Sequence, residues 1–333
     1  MTTKYKVAVV NSKSFGKYTD AVQRLSKYCD VSFLELPKDI RGNELAKSLT
    51  GYQFVIASTT PKYTEDFFKN NLDVVMIVRH GLAVDNIDVE AAKKYGVGIA
   101  RVPGWKERES VAEHAIALML AALRKVANAY IAVKEGRWKD RAKFMGKELS
   151  NLTVGIIGFG NIGSRVAEIL IKGFGAKVLA YSPHVPKERI KEVGAIPVSL
   201  DELLEKSDII SLHTALRPDT YHILNEERLS KVKPGVIIVN TGRGELIDTK
   251  ALIKALESGR VSAAALDVVE GEPIDASHPL LKFENVIITP HIGAYTIESV
   301  KAMDEVAVNA IINFIKGEPV EGLLIPPKRS LQK

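Results

Sequence analysis

Two series of short apolar runs constrain the fold of this chain more than any other feature. The first series lies within residues 6–100 and the second within residues 154–291, and amphipathic segments with helical spacing separate the runs. The runs are KVAVV, VSFLEL, FVIAS, VVMIV and VGIA in the first series, and VGIIGF, KVLAY, DIISLH, GVIIVNTG, AAALDVV and NVIITPH in the second. Short β-branched runs that alternate with helices indicate parallel strands joined by crossover helices. We therefore predict an α/β protein with two doubly wound parallel-sheet units.

Composition agrees with this fold and excludes several classes of protein. The 333 residues exceed the usual size of one hydrophobic core, so two domains are expected. The formal net charge of +6 comes from interspersed lysines rather than from a basic tract, so we expect no nucleic-acid partner. The single Cys29 leaves no internal disulfide and no cysteine metal cluster, which favours a cytoplasmic protein without a metal. We expect neither a signal peptide at the N-terminus nor a membrane span, because the longest apolar stretch is only residues 115–123.

Two long helical patterns lie outside the alternation. Pro103 and Gly104 mark a break before the first pattern, at residues 111–123, which is apolar on nearly all sides. We predict that this helix is buried between domains or subunits. The second pattern, at residues 297–316, follows the last run of the second series. With no further strand predicted after it, we expect this helix to pack back on the first unit.

The segment GFGNIG predicts a dinucleotide site. Gly158, Gly160 and Gly163 have the G-x-G-x-x-G spacing and stand directly between a strand pattern and a helix. The first glycine permits a tight turn, the second lets the backbone approach a pyrophosphate, and the third lets helix and strand pack closely. The N–H groups at the start of the helix, including those of Asn161 and Ile162, would bind the phosphates.

The residue after the next strand leaves the choice of cofactor open. A carboxylate that binds the adenosine ribose of NAD normally stands at this position, but here Ser182 follows KVLAY. Ser182, His184 and Lys187 are suited to the 2′-phosphate of NADP, and we expect a slight preference for NADP. The alternative is an NAD enzyme that tolerates a neutral residue.

Three polar residues follow strands of the second series. Arg243 comes after GVIIVNTG, Glu272 shortly after AAALDVV, and His291 after NVIITP. Ligands of open α/β sheets lie beyond the carboxyl ends of the strands, where the glycine motif also lies. A planar guanidinium is suited to gripping a carboxylate, and a histidine beside a carboxylate is suited to donating a proton to an oxygen that gains negative charge. The three residues therefore predict a site for reduction of a carbonyl compound.

Several motifs in order resemble the D-isomer-specific 2-hydroxyacid dehydrogenases. They are RHGLAVDNID, SVAEHA, GFGNIG, LHTALRPDT, NTGRGELID, ALDVVEGEP and TPHIG. The resemblance implies a flavodoxin-like substrate domain built from residues 1–102 and 293–333, and a Rossmann cofactor domain of residues 103–292. It also implies a homodimer formed through the cofactor domains, which fits the apolar helix at 111–123.

The same resemblance implies roles for individual residues. Arg243 would bind the substrate carboxylate and orient its carbonyl group, His291 would be the acid/base, and Glu272 would pair with it. The backbone around Leu82 and Ala83 would bind the substrate carboxylate. Asp267 would contact the nicotinamide carboxamide. Further cofactor contacts implied by the resemblance are His213, Thr220, Thr241, Arg243, His291 and Gly293.

Departures from the family pattern bear on the substrate. Formate dehydrogenases of the superfamily carry Gln where Glu272 stands, so formate is not expected. Phosphoglycerate dehydrogenases often have a phosphate-binding Arg where Ala57 stands, and we expect no C-terminal regulatory domain. Trp105, in a loop longer than usual, either shapes the substrate site or is structural. We expect a small 2-oxo acid, glyoxylate or hydroxypyruvate, with phosphoglycerate as the alternative. A nucleotide-sensing binding protein like the C-terminal-binding-protein corepressors is the rival from another class.

Overall fold

The computed structural model describes residues 4–331 and divides the chain into two compact units. The first takes the chain up to Glu107 and again from Tyr295, and the second is Arg108–Ala294. Each unit contains a largely parallel sheet with helices on both faces, so the predicted α/β class with two parallel-sheet units is confirmed. The assignment of substrate binding to 1–102 with 293–333, and of cofactor binding to 103–292, stays a prediction.

Thirteen strands and twelve α-helices make up the described chain. The strands are β1 (Tyr5–Val10), β2 (Cys29–Leu34), β3 (Phe54–Ala57), β4 (Met76–Arg79), β5 (Gly98–Arg101), β6 (Thr153–Ile157), β7 (Lys177–Tyr181), β8 (Ile196–Pro197), β9 (Ile209–Leu212), β10 (Val236–Asn240), β11 (Val261–Leu266), β12 (Val286–Ile288) and β13 (Leu323–Ile325). The helices are α1 (Ala21–Leu25), α2 (Gly42–Ser48), α3 (Glu65–Asn70), α4 (Val89–Lys94), α5 (Arg108–Leu123), α6 (Val126–Lys134), α7 (Asn161–Phe174), α8 (Lys187–Glu192), α9 (Leu200–Lys206), α10 (Glu226–Lys231), α11 (Thr249–Glu257) and α12 (Ile297–Lys316). Short 3₁₀ helices lie at Trp138–Phe144, Leu149–Asn151, Gly244–Leu246 and Pro279–Lys282.

The first unit has the strand order β2-β1-β3-β4-β5-β13. Its five parallel strands follow the flavodoxin-like order 2-1-3-4-5. α12 packs on this unit, as predicted: Ala307 and Ile311 lie in one apolar cluster with Val7 and Val9 of β1. The expectation of no further strand after this helix was wrong, because β13 pairs antiparallel with β5. A three-residue edge strand is too short to produce a recognisable alternation in the sequence.

The second unit has the strand order β8-β7-β6-β9-β10-β11-β12, all parallel. The first six strands of this order follow the 3-2-1-4-5-6 pattern of dinucleotide-binding folds, with β12 added at the edge. The order reverses at β6, where the glycine motif begins α7. β10, β11 and β12 lie side by side, so the loops that follow them share one edge of the sheet.

Helix α5 is buried, but not in the place predicted. Its side chains Ala115, Met119 and Ala122 belong to an apolar cluster formed by β6, α7, β10 and β11 of the same unit. The prediction of burial between domains or subunits is therefore corrected to burial in the core of the second unit. The all-round apolar pattern reports the burial of a helix, not its partner.

No single helix of residues 4–331 is both long enough and apolar enough to cross a membrane. The pair formed by α5 and α6, bent by 61° at the break between them, passes the same test by length and composition alone.

Candidate active site

The imidazole of His291 is paired with the carboxylate of Glu272. His291 follows β12 with a left-handed backbone, φ +55°, and its backbone N–H donates to the carbonyl groups of Asp267 and Thr289, each at 2.9 Å. Its Nδ1 is hydrogen-bonded to Oε1 of Glu272. Both side chains are 36% exposed, so they are accessible to a ligand. Within residues 4–331 the other ring nitrogen, Nε2, has no hydrogen-bond partner, so it is the atom that can exchange a proton with a substrate.

A tight turn after β11 positions Glu272. The backbone N–H of Glu272 donates to the carbonyl of Val269 at 3.3 Å, and Oε2 of Glu272 accepts from the N–H of Val269 at 3.2 Å. Gly271 takes φ +79° within the turn, a conformation that favours glycine. The turn therefore uses one carboxylate oxygen of Glu272 and leaves the other for His291.

Asp267 anchors the loop that carries His291. Its carboxylate, 2% exposed, accepts from Thr289 Oγ1 at 2.6 Å, from the N–H of Ile292 at 2.9 Å and from the N–H of Gly293 at 2.7 Å. His114 Nε2 of α5 lies 3.1 Å from Oδ1. Burial by itself raises the pKa of Asp267, but the hydrogen bonds outweigh it and lower the pKa to about 2. A carboxylate has about four acceptor sites, so most of this group is used within the protein.

Arg243 stands on the loop after the neighbouring strand β10. Asn240, fully buried at the end of β10, donates from Nδ2 to the carbonyl of Arg243 at 2.8 Å and accepts from the N–H of Gly242 at 3.0 Å. The next residue, Gly244, packs directly on the backbone of the Glu272 turn: an added Cβ would lie 2.1 Å from the carbonyl carbon of Val269. The predicted catalytic residues thus lie on adjacent loops, and Arg243 is joined to the Glu272–His291 pair through the backbone.

The glycine turn after β6 has the geometry expected for a phosphate site. Gly158 has φ +95°, and a Cβ there would lie 2.5 Å from the backbone nitrogen of Thr214. A Cβ on Gly163 would lie 2.0 Å from the carbonyl oxygen of Gly158, so the start of α7 packs closely on the turn. Gly160 faces open space, and as N-cap residue it brings no side chain to the first N–H groups of α7, those of Asn161 and Ile162. The residues present therefore fit a pyrophosphate.

Two buried polar atoms near this turn have no hydrogen-bond partner within the described chain. They are Nδ1 of His213, after β9, and Oγ1 of Thr241, after β10. Burial lowers the pKa of His213 to about 4, so its ring is neutral at physiological pH. Because buried polar atoms are normally paired, both atoms are candidates to bind a ligand. Thr220 differs, since its Oγ1 already donates to the carbonyl of Ala215 at 2.7 Å within the loop.

The loop after β7 carries no carboxylate before Glu188. Ser182 is half-buried directly after the strand, whereas His184 and Lys187 are exposed. Lys187 is the first residue of α8. The structure thus places Ser182 next to the strand end and leaves the two basic residues on the surface of the unit.

Leu82 and Ala83 lie in the first unit, in the loop that follows β4. Gly81 takes φ +144°, and a Cβ there would lie 2.7 Å from the guanidinium of Arg79. The N–H groups of Leu82 and Ala83 donate no hydrogen bond within residues 4–331, so both are available to an anion. Arg101, at the end of β5, donates from Nη1 to the carbonyl of Leu82 at 3.3 Å. Trp105, further along the chain, is 60% exposed.

Comparison with known proteins gives the family of this chain. The model described as "D-isomer specific 2-hydroxyacid dehydrogenase, NAD binding domain" matches residues 116–293, which include the glycine turn, Arg243, Glu272 and His291. The chain belongs to the D-isomer specific 2-hydroxyacid dehydrogenase family. The predicted resemblance is therefore confirmed.

Individual members of the family are similar over most of this chain. The hydroxypyruvate reductase of Thermotoga maritima is 43% identical over 272 residues, which are 81% of this chain and 86% of that protein. The D-3-phosphoglycerate dehydrogenase of Archaeoglobus fulgidus is 40% identical over 294 residues, which are 88% of this chain but only 55% of that longer protein. A solved D-lactate dehydrogenase from Aquifex aeolicus, in complex with NAD and lactic acid, is 32% identical with a TM-score of 0.83, and the match covers 97% of this chain and 100% of that one.

Some polar contacts of this dehydrogenase-family site were missed in the sequence. They are the contact of His114 with Asp267, 153 residues apart, and that of His222 with Glu270, 48 residues apart. His114 lies in a helix with an apolar pattern, and its partner is far along the chain, so the sequence does not indicate the contact. Within residues 4–331, no group of three or more His, Cys, Asp and Glu side chains could hold a metal ion.

Proposed function

We propose that this protein catalyses NAD(P)-dependent reduction of a small 2-oxo acid to the D-2-hydroxy acid, and the reverse reaction. The observation that carries the proposal is the Glu272–His291 pair at the edge of the sheet, next to Arg243 and in the unit that matches the family's NAD binding domain. The second unit would bind the cofactor, and the first, built from both ends of the chain, would supply substrate contacts.

Each residue of the site has a separate task in this proposal. Bound nicotinamide would supply the hydride. His291 donates a proton from Nε2 to the carbonyl oxygen of the substrate, and Glu272 holds Nδ1 and favours the protonated ring. Arg243 grips the substrate carboxylate with its planar guanidinium and orients the carbonyl. The available N–H groups of Leu82 and Ala83 are proposed to bind the same carboxylate.

The proposed cofactor contacts are groups of the second unit that have no partner within the described chain. The N–H groups after Gly160 would bind the pyrophosphate, and the unpartnered atoms of His213 and Thr241 would face the cofactor. Thr220 and Asp267 are already bonded within the protein, which supports a role in shaping the site besides any contact with the cofactor. Gly293 would contribute to the cofactor site because, without a side chain, it lets the loop after β12 lie close to the carboxylate of Asp267.

The substrate proposed first is hydroxypyruvate or glyoxylate. A small 2-oxo acid needs a carboxylate clamp and a proton donor, which the site supplies, and little else. The identity of 43% to a hydroxypyruvate reductase supports this choice.

A second candidate, the 2-oxo acid of D-3-phosphoglycerate, is favoured by Arg101. Arg101 and Arg79 are register partners at the ends of β5 and β4, so their backbone positions are neighbours at the carboxyl edge of the sheet in the first unit. The neighbouring register position on β3 is Ala57, where an arginine is common in phosphoglycerate dehydrogenases. Arg101 would supply the missing cation. If so, Arg101→Gln lowers kcat/KM for the phosphorylated 2-oxo acid relative to hydroxypyruvate, whereas Arg41→Gln, at an exposed position of the same unit, leaves the ratio unchanged.

We also propose a slight preference for NADPH and a cytoplasmic location. No carboxylate follows β7 to repel a 2′-phosphate, and the hydroxyl of Ser182 can donate to one. The single cysteine, Cys29, is buried and free, which is typical of proteins in a reducing compartment.

A homodimer through the second unit is proposed from the apolar surface of α6 and the residues after it. Val126, Tyr130, Ile131 and Trp138 are 48–70% exposed, an unusual density of large apolar side chains on a surface. A second copy of the chain would bury them. Tyr130→Glu should then halve the mass measured by light scattering, whereas Leu72→Glu, at an exposed leucine of the first unit, should leave it unchanged. A wild-type mass of one chain would contradict the dimer.

Turnover of reduced cofactor with a panel of 2-oxo acids tests the proposed function. The panel contains glyoxylate, hydroxypyruvate, its 3-phosphate and pyruvate, each with NADH and with NADPH. The proposal requires consumption of cofactor and formation of the D-isomer with at least one acid. Tight binding of cofactor without turnover of any acid would instead support a nucleotide-sensing protein.

A further inference from the structure

A second histidine–carboxylate pair, His222 and Glu270, shares a turn of the chain with the Glu272–His291 pair. His222 Nε2 is 2.7 Å from Oε1 of Glu270, and both side chains are partly buried, at 24% and 29% exposure. The ring of Tyr221 stacks on that of His222 with the centroids 3.9 Å apart. His222 has a left-handed backbone, φ +48°, as His291 does.

This pair connects the loops that carry the catalytic residues. Glu270 lies two residues before Glu272, in the turn that directs the Glu272 carboxylate at His291. On the other side, the backbone N–H of His222 donates to the carbonyl of Glu245 at 2.9 Å, in the 3₁₀ helix that follows Arg243.

The carboxylate of Glu270 has a second contact, which fixes its orientation. Its Oε2 accepts from the backbone N–H of Thr249, the first residue of α11, at 3.4 Å. Burial raises the pKa of Glu270, but the hydrogen bonds from His222 and Thr249 outweigh it and lower the pKa. The carboxylate is therefore held in its charged form between His222 and the first residue of α11.

We propose that His222 and Glu270 are positioning residues that hold the Glu272 turn so that its carboxylate reaches His291. The hydrogen bond between them ties the turn to the loop of His222, and the backbone of Gly244, which packs against Val269, ties the same turn to the loop after β10. Without it, the turn pivots at Gly271 and Glu272 loses its contact with Nδ1. The effect on catalysis rests on the proposed function, but the effect on the Glu272–His291 pair does not.

The test follows His291 itself, so it does not depend on turnover. The titration of the His291 ring is recorded by NMR, with the signal assigned from its absence in His291→Asn. Glu272→Gln should move the titration midpoint to lower pH, since the neutral amide no longer stabilises the charged ring. His222→Phe, which keeps the ring over Tyr221, and Glu270→Ala should move it in the same direction. Glu270→Gln retains an acceptor oxygen and should restore the wild-type midpoint.

A double-mutant cycle separates positioning from a merely structural role. In the Glu272→Gln background His222→Phe should cause no further shift of the midpoint, because the carboxylate it positions is gone. Tyr221→Leu, which removes the stacking and keeps the hydrogen bond, is the matched control. In turnover, His222→Phe should lower kcat about tenfold, below the roughly 10²-fold cost of a 1 Å misplacement, with the KM for cofactor unchanged.

The outcomes are distinct. A lower melting temperature in His222→Phe with an unmoved His291 midpoint, or the same shift with and without Glu272, overturns the positioning role. Absence of turnover in the wild type with the predicted midpoint shifts overturns the proposed function alone.

Discussion

The backbone N–H of Gly293 donates a hydrogen bond to Oδ2 of Asp267 across 2.7 Å, and this contact anchors the loop of His291 to the end of β11. The loop must be held by such a contact because His291 itself has φ +55°, which a histidine seldom adopts without support. The geometry of His291, the proposed proton donor, therefore depends on the carboxylate of Asp267.

Asp267 should contribute to stability in a way that depends on pH. Its pKa is about 2 in the folded protein, below the ordinary value of 3.8, so the stabilisation is fully present above pH 4 and is lost as the pH falls toward 2. The difference corresponds to about 2 kcal/mol. We expect Asp267→Asn to lower the free energy of unfolding at pH 7 by at least about that amount, since an amide group faces several donors with one acceptor. Denaturant unfolding at pH 7 and pH 3 measures both effects, and equal stability of variant and wild type at pH 7 would contradict them.

Glu272→Gln should change the pH dependence of reduction rather than abolish it. The amide keeps a hydrogen-bonding group beside His291 but no longer stabilises the protonated ring. The rate of reduction should therefore begin to fall at a lower pH than in the wild type. The profile of kcat/KM against pH is the measurement, and superimposable profiles would remove Glu272 from the pair.

Arg243→Lys should weaken substrate use although the charge is kept. The lysine lacks the planar fork, so a charge-assisted hydrogen bond to the substrate carboxylate is lost, and kcat/KM should fall roughly ten- to a hundredfold. Arg260→Lys, at a half-buried arginine of the same unit that bonds the carbonyl of Val232, is the control. Wild-type kinetics with several 2-oxo acids would place the carboxylate clamp elsewhere.

Ser182→Asp should turn the cofactor preference toward NADH. A carboxylate directly after β7 would accept from the ribose hydroxyl groups of NADH and repel the 2′-phosphate of NADPH. The ratio of kcat/KM for the two cofactors, measured at fixed ionic strength because salt screens phosphate contacts, should rise in favour of NADH. A wild-type preference for NADH above about tenfold, worth roughly 1.4 kcal/mol, would show that this loop does not read the phosphate as proposed.

The location of three site residues at strand ends could be predicted from the spacing of the apolar runs and the parallel order of the strands. Arg243, Glu272 and His291 each follow an apolar run, and parallel strands bring their carboxyl ends to one edge. The close packing at Gly158 and Gly163 was also predicted, since the G-x-G-x-x-G spacing requires a tight turn and a helix that packs closely on it.

Long-range polar pairs could not be predicted in the same way. His222 and Glu270 meet only when two loops from different strands fold over each other, and nothing local to either residue signals the partner. The packing partner of α5 could not be predicted either, because a helix that is apolar on all sides can be buried in its own unit or in an interface. Residue type alone gives the chemistry of a side chain, whereas its partner depends on tertiary packing.

The role of His291 as proton donor is tested most directly by His291→Asn, assayed for turnover with the best 2-oxo acid and for affinity toward the reduced cofactor. Asn can hydrogen-bond but cannot deliver a proton, so kcat for reduction should fall by roughly 10²- to 10⁴-fold. The dissociation constant of the cofactor, followed by nicotinamide fluorescence, should stay within about twofold, because the glycine turn is untouched. A near-normal kcat in this variant would contradict the assignment of His291 and with it the account of the site.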